Sequence, residues 1–125
     1  MLRPDGTLSG VGYAGGDLGE HPEGENNPAD EGIPDIGPLP EGIYYMQTPV
    51  NTHGPFAIPL TPDASNNMHG RAGFMCHGDK IDAPGCGSEG CICIARAVRQ
   101  EMWEGYGESQ TVDHTLQVVK GEQQQ

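Results

Sequence analysis

Apolar residues fall in short runs separated by glycine- and proline-rich turns, a pattern that predicts many short strands rather than long helices. Thr7 to Tyr13 alternates loosely and reads as a first strand. Ala14 to Pro40 follows, rich in Gly, Pro, Asn and acids, with Ile33, Ile36 and Leu39 clustered towards its end. An excursion of that length is functional or unstructured by the usual run of loops. Gly42 to Gln47 is the next strand, introduced by the Gly37-Pro38-Leu39-Pro40 turn. Phe56 to Leu60 is another, and Pro59 assigns it to a sheet edge, since proline cannot donate to a ladder. Gly73 to His77 and Gly90 to Ala95 are two further short apolar runs. Ala95, Val98 and Met102 then stand at helical spacing in a helix from Ala95 to Glu104, stopped by Gly105. His114 to Lys120 reads as the last strand, and Gly121 to Gln125 as a disordered polar tail. The fold class expected is mainly β, with one short helix after the Gly90–Ala95 strand.

Length makes this one domain over residues 1–125, because 125 residues cannot supply a second core. Six Lys and Arg against eighteen Asp and Glu give a net charge of -12. Such a surface repels nucleic acids and anionic membranes, whose binding requires clustered cations. No apolar stretch reaches the roughly 20 residues of a membrane-spanning helix. No basic start followed by an apolar run marks a signal peptide, so delivery by secretion machinery or release by lysis is expected.

The four cysteines, Cys76, Cys86, Cys91 and Cys93, crowd around His77 and leave the N-terminal half without any, so they cannot staple the fold end to end. This crowding points to local chemistry. A thiol becomes a nucleophile when deprotonated, and an imidazole partner favours the thiolate. His77 ends one apolar run and Cys91 begins another, so adjacent strands would bring both to one sheet edge. Gly90 permits a tight turn that aims the amides near Cys91 at a developing oxyanion. Ser88 is placed to orient the histidine or to donate to that oxyanion. A pair fourteen positions apart also arises by chance, and a buried cysteine is commonly just a small hydrophobe.

The wording of the motif is more specific. His77-Gly78, then Ser88-Glu89-Gly90-Cys91-Ile92, resembles the active-site signature of L,D-transpeptidases. Gly12-Tyr13-Ala14-Gly15, Asn26-Asn27-Pro28, Gly37 to Tyr44, Gly70 to Phe74 and His77-Gly78-Asp79 resemble a short branch of those enzymes. That branch includes antibacterial secretion effectors and phage-associated wall enzymes. The resemblance implies a β-rich catalytic domain with Cys91 as nucleophile and His77 as general base. It implies attack on the L,D amide of a peptidoglycan tetrapeptide stem, a Cys91 thioester, and loss of D-alanine, resolved by water or by an amine. It further implies action in the bacterial periplasm, no cofactor, and no metal. A monomer with an immunity or delivery partner is expected. Larger relatives have His where this chain has Glu89 and a polar residue where it has Cys93, and their His-to-Cys interval is longer.

Arg71, Tyr44, Gly78 and Glu89 are the residues expected to bind substrate, Arg71 through the planar fork that suits a carboxylate. A structural ion pair is the alternative for Arg71 and the preferred reading of Arg99. One of Tyr44 and Tyr45 is expected to face the core and the other solvent or a cleft, since side chains alternate along a strand. Cys93 shares the face of Cys91 and reads as a core thiol; Cys76 reads as buried on the opposite face; Cys86 is the disulfide candidate. His53 and His69 are assigned to the surface, and Trp103 and Tyr106 to helix packing. Two other classes compete with the enzyme reading. A zinc module would use His77 and the cysteines, but Cys91-Ile92-Cys93 lacks the spacing and the second knuckle of a structural site. A non-catalytic wall-binding or structural module would keep the fold without the chemistry.

Overall fold

The computed structural model describes residues 10–51, 54–79, 90–104 and 114–119. Expectations that fall on His53, Cys86, Ser88, Glu89, Gly105, Tyr106 and the tail lie outside them. The domain is mainly β: six strands form one curled, half-barrel sheet, with a single helix among the described residues. In chain order these are β1 (Tyr13–Ala14), β2 (Gly42–Met46), β3 (Ile58–Pro62), β4 (Met75–His77), β5 (Ile92–Cys93), α1 (Arg96–Glu104) and β6 (Thr115–Val118). The spatial order is β1-β5-β4-β3-β2-β6. Every neighbouring pair is antiparallel except β4 and β5, which run parallel with His77 opposite Cys93. Parallel neighbours need a crossover of about a dozen residues or more, and the chain between His77 and Ile92 supplies it.

The core lies where inward positions of the strands meet α1. Tyr44, Met46, Ile58, Leu60, Phe74, Cys76, Ile94, Val98, Met102 and Leu116 form one buried cluster. Strand alternation explains most of it, because Tyr44 and Met46 point inward while Tyr45 faces solvent. On α1 the buried face carries Val98, Arg99 and Met102. Ala95, expected on that face, precedes the helix and is exposed. Trp103 packs against the core from the helix end and stacks on His114 at 3.6 Å between ring centroids.

β3 corrects the edge assignment that Pro59 suggested, because it lies between β2 and β4. Leu60 donates to Phe74 O on the β4 side at 3.0 Å, so the missing Pro59 donor would point towards β2. There β2 has already ended at Met46, and the adjoining bond from Gln47 N to Pro59 O survives at 2.9 Å. Proline is tolerated inside the sheet because its lost bond falls past the end of a ladder.

The excursion from residue 15 to 40 is built from three short 3-10 turns, Asp17–Gly19, Pro22–Gly24 and Pro28–Asp30. Asn26 tethers it to β1: its amide donates to Ala14 O at 2.7 Å and its side chain accepts from Ala14 N at 2.9 Å. Asn27 caps the third turn by accepting from Ala29 N at 3.1 Å, with Pro28 at the first turn position. The Asn-Asn-Pro motif is thus a fastening of the excursion to the sheet. The segment then closes on the site through Leu39, whose amide donates to Gly90 O at 3.0 Å.

Candidate active site

The parallel β4–β5 seam gathers the residues with chemistry. His77 is the last residue of β4 and half-buried, while Cys91 precedes β5 by one residue and is also half-buried. Directly across from His77 stands Cys93, with Sγ 3.8 Å from Nδ1. Cys91 lies two positions before that partner, in the bend that leads into β5. Sequence reasoning placed Cys91 and His77 at one edge. The parallel direction of the strands instead puts Cys93 in the facing position and Cys91 at the upstream end of the same seam.

His77 Nδ1 lies 2.8 Å from the carbonyl oxygen of Gly78. A carbonyl only accepts, so Nδ1 carries the proton, and the lone pair of the neutral ring sits on Nε2. Gly78, expected to touch substrate, thereby fixes the tautomer of the histidine. The residue itself is exposed, and a side chain there would press on Arg99 Nη1 at 3.2 Å.

Burial separates the thiols. Cys76 is fully buried on the opposite face from His77, as its position in the strand predicts, and desolvation pushes its thiol up to about 12. Cys93 is 1% exposed, and burial raises its thiol to about 11, against a lowering influence of the neighbouring Tyr13 hydroxyl. A thiol so shielded stays protonated near neutral pH and is closed to a peptide substrate. Cys91 is the one of the three free cysteines among the described residues that solvent reaches in part. The other edge of the seam holds Tyr13, which pairs with Cys93 across β1–β5 and donates to Asp79 Oδ1 at 2.5 Å. Sequence reasoning missed this Tyr13–Asp79 contact, although both residues stand in the motif blocks quoted for the resemblance.

Gly90 positions Cys91. It sits at φ 128°, a left-handed conformation that favours glycine, and a Cβ there would lie 2.8 Å from Phe74 Cε1 and collide with Arg71 Nη2. Arg71 is buried and donates through Nη1 to Glu31 O at 2.6 Å and Pro38 O at 2.8 Å. Through Nη2 it donates to Gly37 O at 3.2 Å. Its guanidinium also lies over the Phe74 ring, 5.0 Å from the centroid. The fork expected to hold a substrate carboxylate holds the backbone of the excursion instead.

Tyr44 is likewise corrected. It is 0% exposed, and its hydroxyl donates to Pro40 O at 2.6 Å, so it anchors the turn before β2 and cannot touch substrate. Burial raises its hydroxyl to about 12. Arg99 is structural, but its partners are carbonyls rather than an acid. It donates to Phe56 O at 3.0 Å, Ile94 O at 2.7 Å and Pro55 O at 3.1 Å. His69 is a surface residue, 3.6 Å from Glu31. No group of three or more His, Cys, Asp or Glu among the described residues is arranged to hold a metal ion. No helix among them is long and apolar enough to cross a membrane.

The small curled sheet, with His77 on β4 and Cys91 just before β5, is that of a transpeptidase-like domain. The family is clear from the sequence profile of the Tlde1 domain, which matches residues 19–118, and the chain belongs to that family. Its members are antibacterial, type VI enzymatic effectors, and this is such an effector domain. No curated protein and no solved structure matched the chain.

Proposed function

We propose that the domain attacks the L,D amide of peptidoglycan tetrapeptide stems through a Cys91 thioester. The observation that carries this reading is the contrast among the thiols: Cys93 and Cys76 are closed off and held protonated, while Cys91 is half-exposed beside the glycine turn. The family match over residues 19–118 supports it independently.

In this reaction the thiol proton of Cys91 passes to Nε2 of His77, the ring nitrogen opposite the Nδ1–Gly78 bond. Sγ bonds to the carbonyl carbon of the third stem residue, and backbone amides around Gly90 and Cys91 receive the oxyanion. Collapse breaks the C–N bond, and His77 returns the proton to the departing D-alanine amine. Water, or the amine of a D-amino acid, then attacks the thioester carbonyl, gives its proton to His77, and releases the Cys91 thiolate. The first acceptor gives an L,D-carboxypeptidase, the second an L,D-transpeptidase. Ser88 and Glu89 enter through the motif, Ser88 at the histidine or oxyanion and Glu89 at the substrate. The site of action in this reading is the periplasm of a target bacterium, reached by secretion machinery, with an immunity protein as partner.

The test incubates tetrapeptide muropeptides with the protein, Cys91→Ala and His77→Gln, read by mass spectrometry. Loss or exchange of the terminal D-alanine with the parent alone supports the proposal. Unchanged muropeptides with folded, reduced parent protein, or equal turnover by Cys91→Ala, sink it.

A further inference from the structure

The geometry points to Arg71 as the positioning residue of the nucleophile: it locks the Gly90–Cys91 turn against the excursion and supplies the positive charge that favours the Cys91 thiolate. This inference rests on the proposed role of Cys91. It gives Arg71 work that neither the family match nor a carboxylate-binding reading assigns.

Three observations carry it. First, Nη2 of Arg71 occupies the place where a Gly90 side chain would stand, so the guanidinium is packed against the residue before Cys91. Second, the same guanidinium binds the carbonyls of Glu31, Gly37 and Pro38, and the adjoining Leu39 amide donates to Gly90 O. The excursion, the cation and the glycine turn are therefore one closed circuit: carbonyls to Arg71, Arg71 to Gly90, Gly90 back to Leu39. Third, Arg71 and Phe74 together form the wall behind Gly90, since a Cβ there would meet both, and Arg71 rests on the Phe74 ring. A long cationic side chain in a buried position is held by its planar fork, and arginine keeps its proton throughout the accessible pH range.

Electrostatic coupling agrees with this geometry. Burial lowers the affinity of Arg71 for its proton, while Asp35, Tyr44, Cys91 and Glu31 raise it. Coupling is mutual, so a thiolate at Cys91 that favours charged Arg71 is itself favoured by it. Among the described residues, the other titratable groups around the seam are the thiols of Cys76 and Cys93, His77 on β4, Asp79 beyond it, Tyr13 on β1 and Arg99 on α1. Of these, Cys76 and Cys93 are held neutral by burial. Asp35 and Glu31 share the field of Arg71 from the excursion.

The experiment measures iodoacetamide alkylation of Cys91 across pH, peptide by peptide, in the parent, Arg71→Met and Arg71→Lys, each checked for its folded circular-dichroism spectrum. The parent is expected to react with a midpoint below the free-thiol value of about 8.5. Arg71→Met raises that midpoint by about one unit, an approximately tenfold loss of rate on the acid side, whereas Arg71→Lys stays within about half a unit of the parent. A purely structural arginine would not produce this split, because lysine loses the fork as methionine does but keeps the charge. A folded Arg71→Met with the parent midpoint overturns the inference and leaves the proposed chemistry standing. Should Arg71→Met fail to fold, the neutral polar Arg71→Gln takes its place: a raised midpoint supports the inference and the parent midpoint overturns it. A parent midpoint at the free-thiol value overturns the activated-Cys91 reading and this inference with it.

Discussion

Cys93 Sγ lies 3.8 Å from His77 Nδ1, across the one parallel pair in the sheet, and Cys93 is 1% exposed. The imidazole is therefore backed by a buried, neutral thiol on one side and held by the Gly78 carbonyl at the same nitrogen. That arrangement keeps Nδ1 occupied and directs the basic nitrogen elsewhere. Several consequences of the surrounding packing are open to measurement.

The buried thiols make the fold sensitive to alkali. Cys76 and Cys93 are raised in the folded state to about 12 and about 11 from an ordinary 9.0. A raised thiol means that the unfolded chain loses its proton first, so stability is intact below pH 9 and falls between pH 9 and 12. Thermal melting against pH should show this decline, and Cys93→Ser should flatten it. Alkylation of the native protein near pH 7 should label Cys91 well ahead of the other two; equal labelling would contradict their burial.

Gly90→Ala places a Cβ 2.8 Å from Phe74 Cε1 on a backbone at φ 128°. We expect a loss of about 1–3 kcal/mol in urea unfolding. Turnover of muropeptides should fall further than that loss of stability explains, because the turn carries Cys91. Wild-type stability in this variant would mean that the turn is not constrained as described.

Tyr44→Phe removes the hydroxyl that donates to buried Pro40 O. A cost of about 1–2 kcal/mol in stability follows from the unsatisfied carbonyl. The substrate KM should be unchanged, since Tyr44 is fully buried. A raised KM with unchanged stability would restore the substrate role that the sequence suggested.

Arg99→Met leaves the carbonyls of Pro55, Phe56 and Ile94 without their donor in a buried region. Denaturant unfolding should show a loss of about 3 kcal/mol or more. Arg99→Lys should recover only part of it, because an ammonium cannot reproduce the planar fork.

Much of this protein is written locally. Alternating apolar positions in Gly42–Gln47 produced β2, with Tyr44 and Tyr45 on opposite faces. Helical spacing of Val98 and Met102 produced α1, and the Asn27-Pro28 pair produced a capped turn. The motif around His77, Gly90 and Cys91 falls at the β4–β5 seam. These features depend on the period of the backbone and on turn chemistry, which neighbouring residues suffice to set. What tertiary structure alone decided is how distant segments meet. Strand direction put Cys93, not Cys91, opposite His77. The end of the β2 ladder let Pro59 sit inside the sheet. Arg71 and Arg99, which the chain offers as generic cations, became clamps on backbone carbonyls 33–40 and 5–44 positions away. A long side chain can reach many partners, and only the packed chain determines which buried carbonyls need its donors.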